Sequence, residues 1–189
     1  MLNASNQPLQ QELRGDEEIL IKLNAVGRLG RSGRVWDDGG NGEIIQIFIS
    51  HGSDIGIGYI QFVYVENEKA VPSMRFGLGT ASRVDTVDLN YPSEFITWVS
   101  GFFSSSIPTL KSITFGTNQG TYGPFGVKSK KDKEFCFRMG DRRTFGGFHG
   151  TYTSTGISSI GVYVKPPAIV NSGLEPGPSL QIKEEDNQN

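Results

Sequence analysis

Apolar residues along this chain recur in short runs, and nearly every run ends at a turn signal of Gly, Pro or Asn. Within many runs the apolar and polar positions alternate, which is the period-two pattern of a strand in a sheet. No segment keeps an apolar stripe at helical spacing together with caps, so we expect little helix. The predicted strands cover residues 43–50, 57–65, 84–89, 95–103, 110–115, 135–139 and 160–164.

Several runs are apolar at almost every position, and Ile44–Ile49 is the clearest of them. A strand with one solvent-exposed face would alternate apolar and polar residues, so such a run must be covered by other parts of the protein on both faces. We therefore expect an all-β fold in which sheets pack against other sheets. The predicted domain covers residues 20–167, between a flexible extension over residues 1–19 and a flexible acidic tail over residues 168–189.

The stretch Gly146–Val164 places two glycines before a short polar loop and an apolar strand. Glycine adopts backbone angles that other residues avoid, so we predict a turn at Gly146 and Gly147 and a positioned loop after it. Backbone N–H groups and small hydroxyl side chains would converge in that loop. This chemistry suits a neutral polyol ligand better than an anion or a metal ion.

The composition is typical of soluble globular proteins and argues against several classes of function. Apolar residues make up 36% and charged residues 20% of the 189 residues. The net charge is −2, and without a clustered basic face this balance predicts no nucleic-acid partner. No run reaches membrane-spanning length and the first residues lack a secretory signal. We therefore expect a cytoplasmic or nuclear protein that has no membrane partner.

Candidate catalytic residues are sparse. Cys136 is the single cysteine, and its strand-like surroundings predict a small buried side chain. His51 and His149 each precede a glycine, which predicts structural roles in turns, and neither has a partner at metal-ligand spacing. Asp37 and Asp38 are adjacent, so on a strand they would point to opposite sides and share no substrate. We predict no enzymatic activity, no cofactor and no metal.

Two polar segments are predicted to be plain connections. Residues 38–42 are interpreted as a loop in which Asp38 forms the turn. Lys128–Lys133 is a basic run, but Asp132 and Glu134 dilute it, so we expect a solvated hairpin tip. Neither segment has the strand-to-helix context of a phosphate-binding loop.

A series of short motifs follows a fixed order across residues 21–166. These motifs are Trp36–Gly39, Ile47–Gly52, Leu89–Phe95 with Ser100 and Gly101, Thr114–Asn118, Tyr122–Gly126, Gly147–Gly150 and Ile160–Tyr163. As an ordered series they resemble a plant jacalin-related lectin domain. The resemblance implies a β-prism of three four-stranded Greek-key sheets around a pseudo-threefold axis. The final third also looks similar to a divergent subgroup associated with restricting the spread of plant viruses.

The resemblance implies a site for mannose- or galactose-type sugars at one end of the prism. In the family a glycine near the start of the domain meets a Gly-x-x-x-Asp loop near its end, and Gly33 matches that first glycine. Ser154 stands where the loop glycine belongs, and Ser158 stands where the sugar-binding aspartate belongs. Hydrogen bonds to a carboxylate contribute about 1.5–3 kcal/mol each, so losing one predicts roughly tenfold to hundredfold weaker binding.

Other groups in the implied site would survive these replacements. Backbone donors at Thr155 and Gly156 depend on the shape of the loop and not on its side chains. Tyr122 and Phe125 would offer an aromatic rim, and their alternative role is packing within their own turn. The implied carbohydrate-binding residues are therefore Gly33, Ser154, Thr155, Gly156 and Ser158, with Tyr122 and Phe125 as a rim.

Two functional hypotheses remain open. The first is a non-enzymatic lectin that recognises mannose-type glycans in plant defence or stress response. The second is a protein-interaction module on a lectin fold, which restricts virus spread through a protein partner without sugar binding. In either case a homo-oligomer would link weak sites and so raise avidity without new contacts.

Overall fold

The computed structural model describes residues 19–28, 33–79, 81–142 and 144–166, and every regular element within these ranges is a β-strand. In chain order the strands are β1 (Ile21–Lys22), β2 (Val26–Gly27), β3 (Arg34–Gly39), β4 (Glu43–Gly52), β5 (Gly56–Glu66), β6 (Lys69–Pro72), β7 (Arg83–Asp88), β8 (Ile96–Phe103), β9 (Leu110–Thr117), β10 (Thr121–Gly126), β11 (Lys133–Arg138), β12 (Phe145–Thr153) and β13 (Gly156–Val164). The all-β prediction is confirmed. The expected tail, and the expected extension apart from Ile19, lie outside the described residues.

The strands form three antiparallel sheets of equivalent order. Sheet B has the order β6-β5-β4-β7, and sheet C has the order β10-β9-β8-β11. In both, a central hairpin receives the next strand on one edge and the following strand on the other, which is a Greek key. Sheet A has the order β1-β13-β12-β3, with β2 also paired to β13. The predicted architecture of three Greek-key sheets is confirmed. Sheet A combines strands from the start of the domain sequence with strands from its finish.

One phenylalanine from each sheet meets at the centre of the molecule. Phe62 of sheet B stacks on Phe148 of sheet A, with ring centroids 4.8 Å apart. Phe115 of sheet C meets Phe148 edge-on at 6.0 Å. All three side chains are fully buried. The core therefore lies between the sheets, as the runs that are apolar on both faces predicted.

Three hairpin turns lie at the same end of the prism: residues 53–55, 104–109 and 154–155. The backbones approach closely there. A Cβ on Gly56 would lie 2.3 Å from the carbonyl oxygen of Leu110, and a Cβ on Gly156 would lie 2.3 Å from that of Ile57. Both glycines have positive φ, so only glycine fits without strain. We call this the hairpin end.

The predicted turn at Gly146 and Gly147 is wrong, because both residues lie within β12. Gly147 has φ +125° and sits at an irregularity in the pairing of β12 with β13. A Cβ there would lie 2.5 Å from the carbonyl oxygen of Asp38. The glycines therefore allow β12 to pass close to β3, and the predicted loop is instead a hairpin of two long strands.

Three further predictions need correction. The basic run over residues 128–133 is not a hairpin tip, because it leads from β10 to β11, which lie on opposite edges of sheet C. Cys136 is exposed, because it lies on the outer face of the edge strand β11. Asp38 and Gly39 belong to β3 and not to a loop. Within that strand Asp37 is exposed and Asp38 is buried, so the two carboxylates do point to opposite sides, as predicted. No helix long and apolar enough to cross a membrane occurs among the described residues.

Candidate functional site

The structure brings four of the predicted sugar-site residues to the hairpin end: Gly33, Ser154, Thr155 and Gly156. Gly33 immediately precedes β3, whose first residue Arg34 pairs with Tyr152 of β12. The turn at Ser154 and Thr155 joins β12 to β13. Gly33 and the turn are therefore neighbours at the hairpin end of sheet A, as the resemblance implied.

The turn itself is closed by its own side chains. Ser154 and Thr155 are exposed and Gly156 is buried. The hydroxyl oxygen of Thr153 lies 2.9 Å from the Thr155 hydroxyl and accepts a hydrogen bond from the Thr155 backbone N–H at 3.3 Å. One of the two predicted backbone donors is therefore already used inside the turn. What the turn presents to solvent is a pair of uncharged hydroxyl side chains.

Ser158 lies inside the sheet and does not reach solvent. Its relative exposure is 0%, and its hydroxyl oxygen is 2.8 Å from that of Thr151. The Thr151 hydroxyl in turn lies 2.7 Å from the hydroxyl of Ser159. These three hydroxyls form a buried chain that satisfies its members. The position where the family resemblance implies an aspartate is thus occupied by an internal hydroxyl.

The two rim candidates point in different directions. The Tyr122 hydroxyl donates to Glu94 Oε1 at 2.9 Å and lies 3.4 Å from the carbonyl oxygen of Asp88. Those residues lie at the end of sheets B and C opposite the hairpin end, so the structure does not bring Tyr122 to the turn. Phe125 is half-buried and packs against His51, with ring centroids 5.6 Å apart.

Sequence reasoning missed a histidine–aspartate pair near the hairpin end. His51 Nδ1 accepts a hydrogen bond from the Gly126 backbone N–H at 3.0 Å, so Nε2 carries the proton and donates to Asp85 Oδ2 at 2.5 Å. The contact ties β10 of sheet C to β4 and β7 of sheet B. Asp85 is 34 residues from His51, and only the register of β4 with β7 brings them together. No local motif could have revealed the pair.

His149 serves as the structural donor that was predicted, although it lies in β12 and not in a turn. Its Nε2 donates to the backbone carbonyl of Leu23 at 2.7 Å. Burial lowers the pKa of His149, so the imidazole is neutral at neutral pH. The hydrogen bond fixes the segment between β1 and β2 on sheet A.

Two buried carboxylates are held by internal donors. Asp38 accepts hydrogen bonds from the Tyr64 hydroxyl at 2.5 Å and from the Asn41 amide at 2.6 Å. Burial raises the pKa of Asp38 more than these donors lower it. Glu94 accepts from the Thr117 hydroxyl at 2.7 Å as well as from Tyr122. Among the described residues no group of three or more His, Cys, Asp or Glu could hold a metal ion.

The hairpin end can therefore make contacts, but its turn lacks the anionic acceptor of a sugar site. Residues 153–159 contain no Asp or Glu. The buried hydroxyls of Thr151, Ser158 and Ser159 bond to one another. The exposed side chains of Ser154 and Thr155 stand on a hairpin that two long strands hold in place. This arrangement suits recognition of a surface by a rigid, neutral turn.

Comparison with known proteins places these observations in a family context. The model of the jacalin-like lectin domain matches residues 23–163. Two Arabidopsis thaliana relatives, "Inactive protein RESTRICTED TEV MOVEMENT 1" and "Protein RESTRICTED TEV MOVEMENT 1", are 43% and 42% identical over 157 residues. Each alignment covers 79% of this chain and 90% of the relative. A solved mannose-specific jacalin-related lectin from Morus nigra, in complex with mannose, superposes with a TM-score of 0.69 at 26% identity, covering 81% of this chain and 98% of that one.

Proposed function

The chain belongs to the jacalin-like lectin family, and from that premise we propose that it is a non-enzymatic recognition domain in plant defence. Its hairpin end contacts a protein partner, and through that contact the protein restricts virus spread. The observation that carries this proposal is the complete burial of Ser158 at the position of the family's aspartate.

The chemistry of the turn favours a protein surface over a free monosaccharide. A monosaccharide makes few contacts, so its affinity depends on strong acceptors such as a carboxylate. Ser154 and Thr155 supply only neutral hydroxyls. A protein interface gathers its affinity from many modest contacts around a few anchors, so it tolerates a neutral turn.

The names of the relatives support the biological role. Two relatives that share about two fifths of their aligned residues with this chain carry the name RESTRICTED TEV MOVEMENT 1, one of them as an inactive protein. The jacalin-like lectin model matches residues 23–163, so the hairpin end lies within the part of the chain that matches the family.

Site-specific crosslinking tests the proposal. A photo-crosslinking amino acid replaces Ser154 at the hairpin turn, and in a control it replaces Thr121, an exposed residue of β10 at the opposite end. In extracts of infected plants we expect defined protein adducts from position 154 and none of these adducts from position 121. Free mannose should leave the adducts unchanged. Adducts that mannose abolishes, or that arise equally from both positions, would contradict the proposal.

Weak binding of mannose-type glycans is a second candidate function. The position of Gly33 beside the turn supports it, and so does the similarity to a lectin solved with mannose. Loss of one charge-assisted hydrogen bond predicts affinity roughly tenfold to hundredfold below that of a site with an aspartate. A glycan array that shows binding competed by free mannose would establish this candidate. A folded sample that binds no glycan would remove it.

We further propose that the protein acts in the cytoplasm, where a partner involved in virus movement would be met. A fluorescent fusion at either terminus should then label the cytoplasm of leaf cells. A signal confined to the cell wall or to secretory compartments would contradict this location.

A further inference from the structure

An open groove lies on the outside of sheet B, at the end of the prism away from the hairpin end. Its volume is about 370 Å³, which is within the range of small-molecule sites. Strands β4, β5 and β6 form one side, and the segment Asp88–Tyr91 forms the other. Neither Gly33 nor the turn at Ser154 and Thr155 takes part in it. The groove is therefore separate from the site already described.

A carboxylate and an amide form the polar wall of the groove. Gln46 Nε2 donates to Asp88 Oδ1 at 2.5 Å, which fixes the plane of the carboxylate. Asp88 is exposed, and Gln46 contacts only one of the two carboxylate oxygens of Asp88. The other oxygen, Asp88 Oδ2, remains accessible to a ligand. The Gln46 amide keeps a second N–H and a carbonyl oxygen for further hydrogen bonds. Acceptor and donor positions thus stand side by side.

The rest of the groove is apolar and aromatic. Val63 and Leu89 are each 8% exposed and provide an apolar base, while Tyr91 is 44% exposed at the rim. A sugar ring has an apolar face of C–H groups and an edge of hydroxyls. The aromatic ring of Tyr91 suits the face, and the Asp88–Gln46 pair suits the edge. A bare cation would gain nothing from the apolar base.

The wall is held rigidly from behind. Glu94 Oε2 accepts a hydrogen bond from the Asn90 backbone N–H at 2.9 Å. The Tyr122 hydroxyl binds Glu94 Oε1 and lies 3.4 Å from the carbonyl oxygen of Asp88. These contacts position residues 88–91 before any ligand arrives, and such pre-organisation lowers the cost of binding.

We propose that this groove is a saccharide-binding subsite for a neutral sugar. Asp88 and Gln46 bind ring hydroxyls, and Tyr91 packs against the apolar face of the ring. The proposal goes beyond the recognition function of the hairpin end, because it uses different residues at the opposite end of the prism.

Two-dimensional NMR of the full ¹⁵N-labelled chain tests the subsite. The probes are three neutral oligosaccharides: mannotriose, galactobiose and cellobiose. With at least one of them we expect saturable shifts of the backbone amides of residues 88–91 and of the Gln46 side-chain amide. Asp88→Asn should weaken that binding at least tenfold, because one charge-assisted hydrogen bond is lost. Asp141→Asn, which alters an exposed carboxylate outside the groove, should bind as the wild type does.

Tyr91→Ala is a second variant that should also weaken binding at least tenfold. If one of the two variants folds poorly, the other still tests the groove. The proposal is overturned if no probe shifts residues 88–91, or if both groove variants bind like the wild type. It is also overturned if calcium chloride alone produces the same shifts and saccharide does not compete, because the groove is then a cation site. Failure of the hairpin crosslinks would leave this result unchanged, so the two proposals can fail separately.

Discussion

At the scale of single residues, the hydroxyl chain of Thr151, Ser158 and Ser159 determines what the hairpin end can do. The chain lies inside sheet A, where each hydroxyl finds a partner in another. A buried polar group that is satisfied in this way costs little, whereas an unpaired buried charge is expensive. A single substitution therefore cannot place a carboxylate at position 158 without a cost in stability.

Ser158→Asp should lower the free energy of unfolding by about 3–5 kcal/mol, the cost of a buried charge without a cationic partner. Ser158→Ala should cost only about 1–2 kcal/mol, because it removes hydrogen bonds without adding charge. Urea denaturation measures both values. Ser154→Asp, at the exposed turn, is the matched control and should change stability by less than about 0.5 kcal/mol. Equal stability of the Asp and Ala variants at position 158 would show that this site is open to solvent.

Glu94 shows how a carboxylate can be buried without a cation. The side chain is 4% exposed and accepts hydrogen bonds from the Asn90 backbone N–H and from the Thr117 and Tyr122 hydroxyls. Burial alone would raise the pKa of Glu94, but these three donors outweigh it and lower the pKa. The contribution of Glu94 to stability is therefore present above the unfolded pKa of about 4.3 and is lost as the pH falls through the lower folded value.

Glu94→Gln should cost about 1.5–3 kcal/mol at neutral pH, because an amide N–H₂ group then faces one of the donors. Urea denaturation at neutral and at acidic pH checks this. The difference between variant and wild type should shrink as the pH falls below about 4. Glu134→Gln, an exposed change on β11, should show neither effect. A difference that stays constant on acidification would mean that Glu94 is not ionised in the native state.

Residue identity alone could predict only part of the site. Gly33 and the turn at Ser154 and Thr155 could be predicted to lie together, because motifs in a fixed order align them with a known family. The burial of Ser158 could not be predicted, because it depends on contact with the Thr151 hydroxyl and on an irregularity in the pairing of β12 with β13. The His51–Asp85 pair was invisible for the same reason, since strand register and not local sequence creates it.

At the scale of elements, the outer faces of the sheets use cations to cover aromatic rings. Lys22 lies over the ring of Tyr163 in sheet A at 5.1 Å, and Arg75 lies over Tyr59 in sheet B at 4.8 Å. In sheet C a lysine and an arginine take the same role over Phe102 and Trp98. Such contacts contribute about 0.5–1 kcal/mol each at exposed sites. They allow aromatic residues to face outward in strands whose inner face forms the core.

The short strand β1 depends on one such cluster. Asp37 Oδ2 accepts from Lys22 Nζ at 2.7 Å and from the Tyr163 hydroxyl at 2.5 Å. Burial raises the pKa of Asp37, but the hydrogen bonds outweigh it and the pKa is lowered. Because β1 is only two residues long, side-chain contacts have to hold it on β13.

Asp37→Asn should speed hydrogen exchange at the Leu23 amide, which donates to the Val162 carbonyl, because β1 opens locally more often. The global free energy of unfolding should fall by less than about 1 kcal/mol, since the ion pair is exposed. Hydrogen–deuterium exchange read by NMR measures the first effect, and urea denaturation measures the second. Glu66→Gln, an exposed change on β5, is the control. Unchanged exchange at Leu23 in Asp37→Asn would show that the backbone alone holds β1.

Strand prediction succeeded where apolar runs were long and failed where glycine and proline interrupt a strand. The centres of β4, β5, β8 and β9 were predicted, because period two and burial agree there. β12 was missed altogether, since Gly146 and Gly147 resemble a turn signal in sequence although they allow β12 to pass close to β3. β10 was missed because it contains Gly123 and Pro124, and an edge strand tolerates proline.

At the scale of the whole molecule, sheet A is built from both ends of the domain. β1, β2 and β3 come from its start, and β12 and β13 come from its finish. Periodicity predicted sheets packed on sheets, but it contains no information about which strands pair over such a separation. The resemblance to a family supplied that topology. The resemblance also indicated which end of the prism would carry a sugar site. The residues at that end differ from the family pattern.

The central claim is that the hairpin end acts by contact with another macromolecule. The most direct measurement is the spread of TEV from inoculated to upper leaves in susceptible plants that express the wild-type chain, Ser154→Arg or Thr121→Arg. Both positions are exposed and both variants add one positive charge, but only Ser154 lies in the turn. We predict that the wild type and Thr121→Arg restrict spread and that Ser154→Arg does not. Equal restriction by all three chains, or none by the wild type, would contradict the claim.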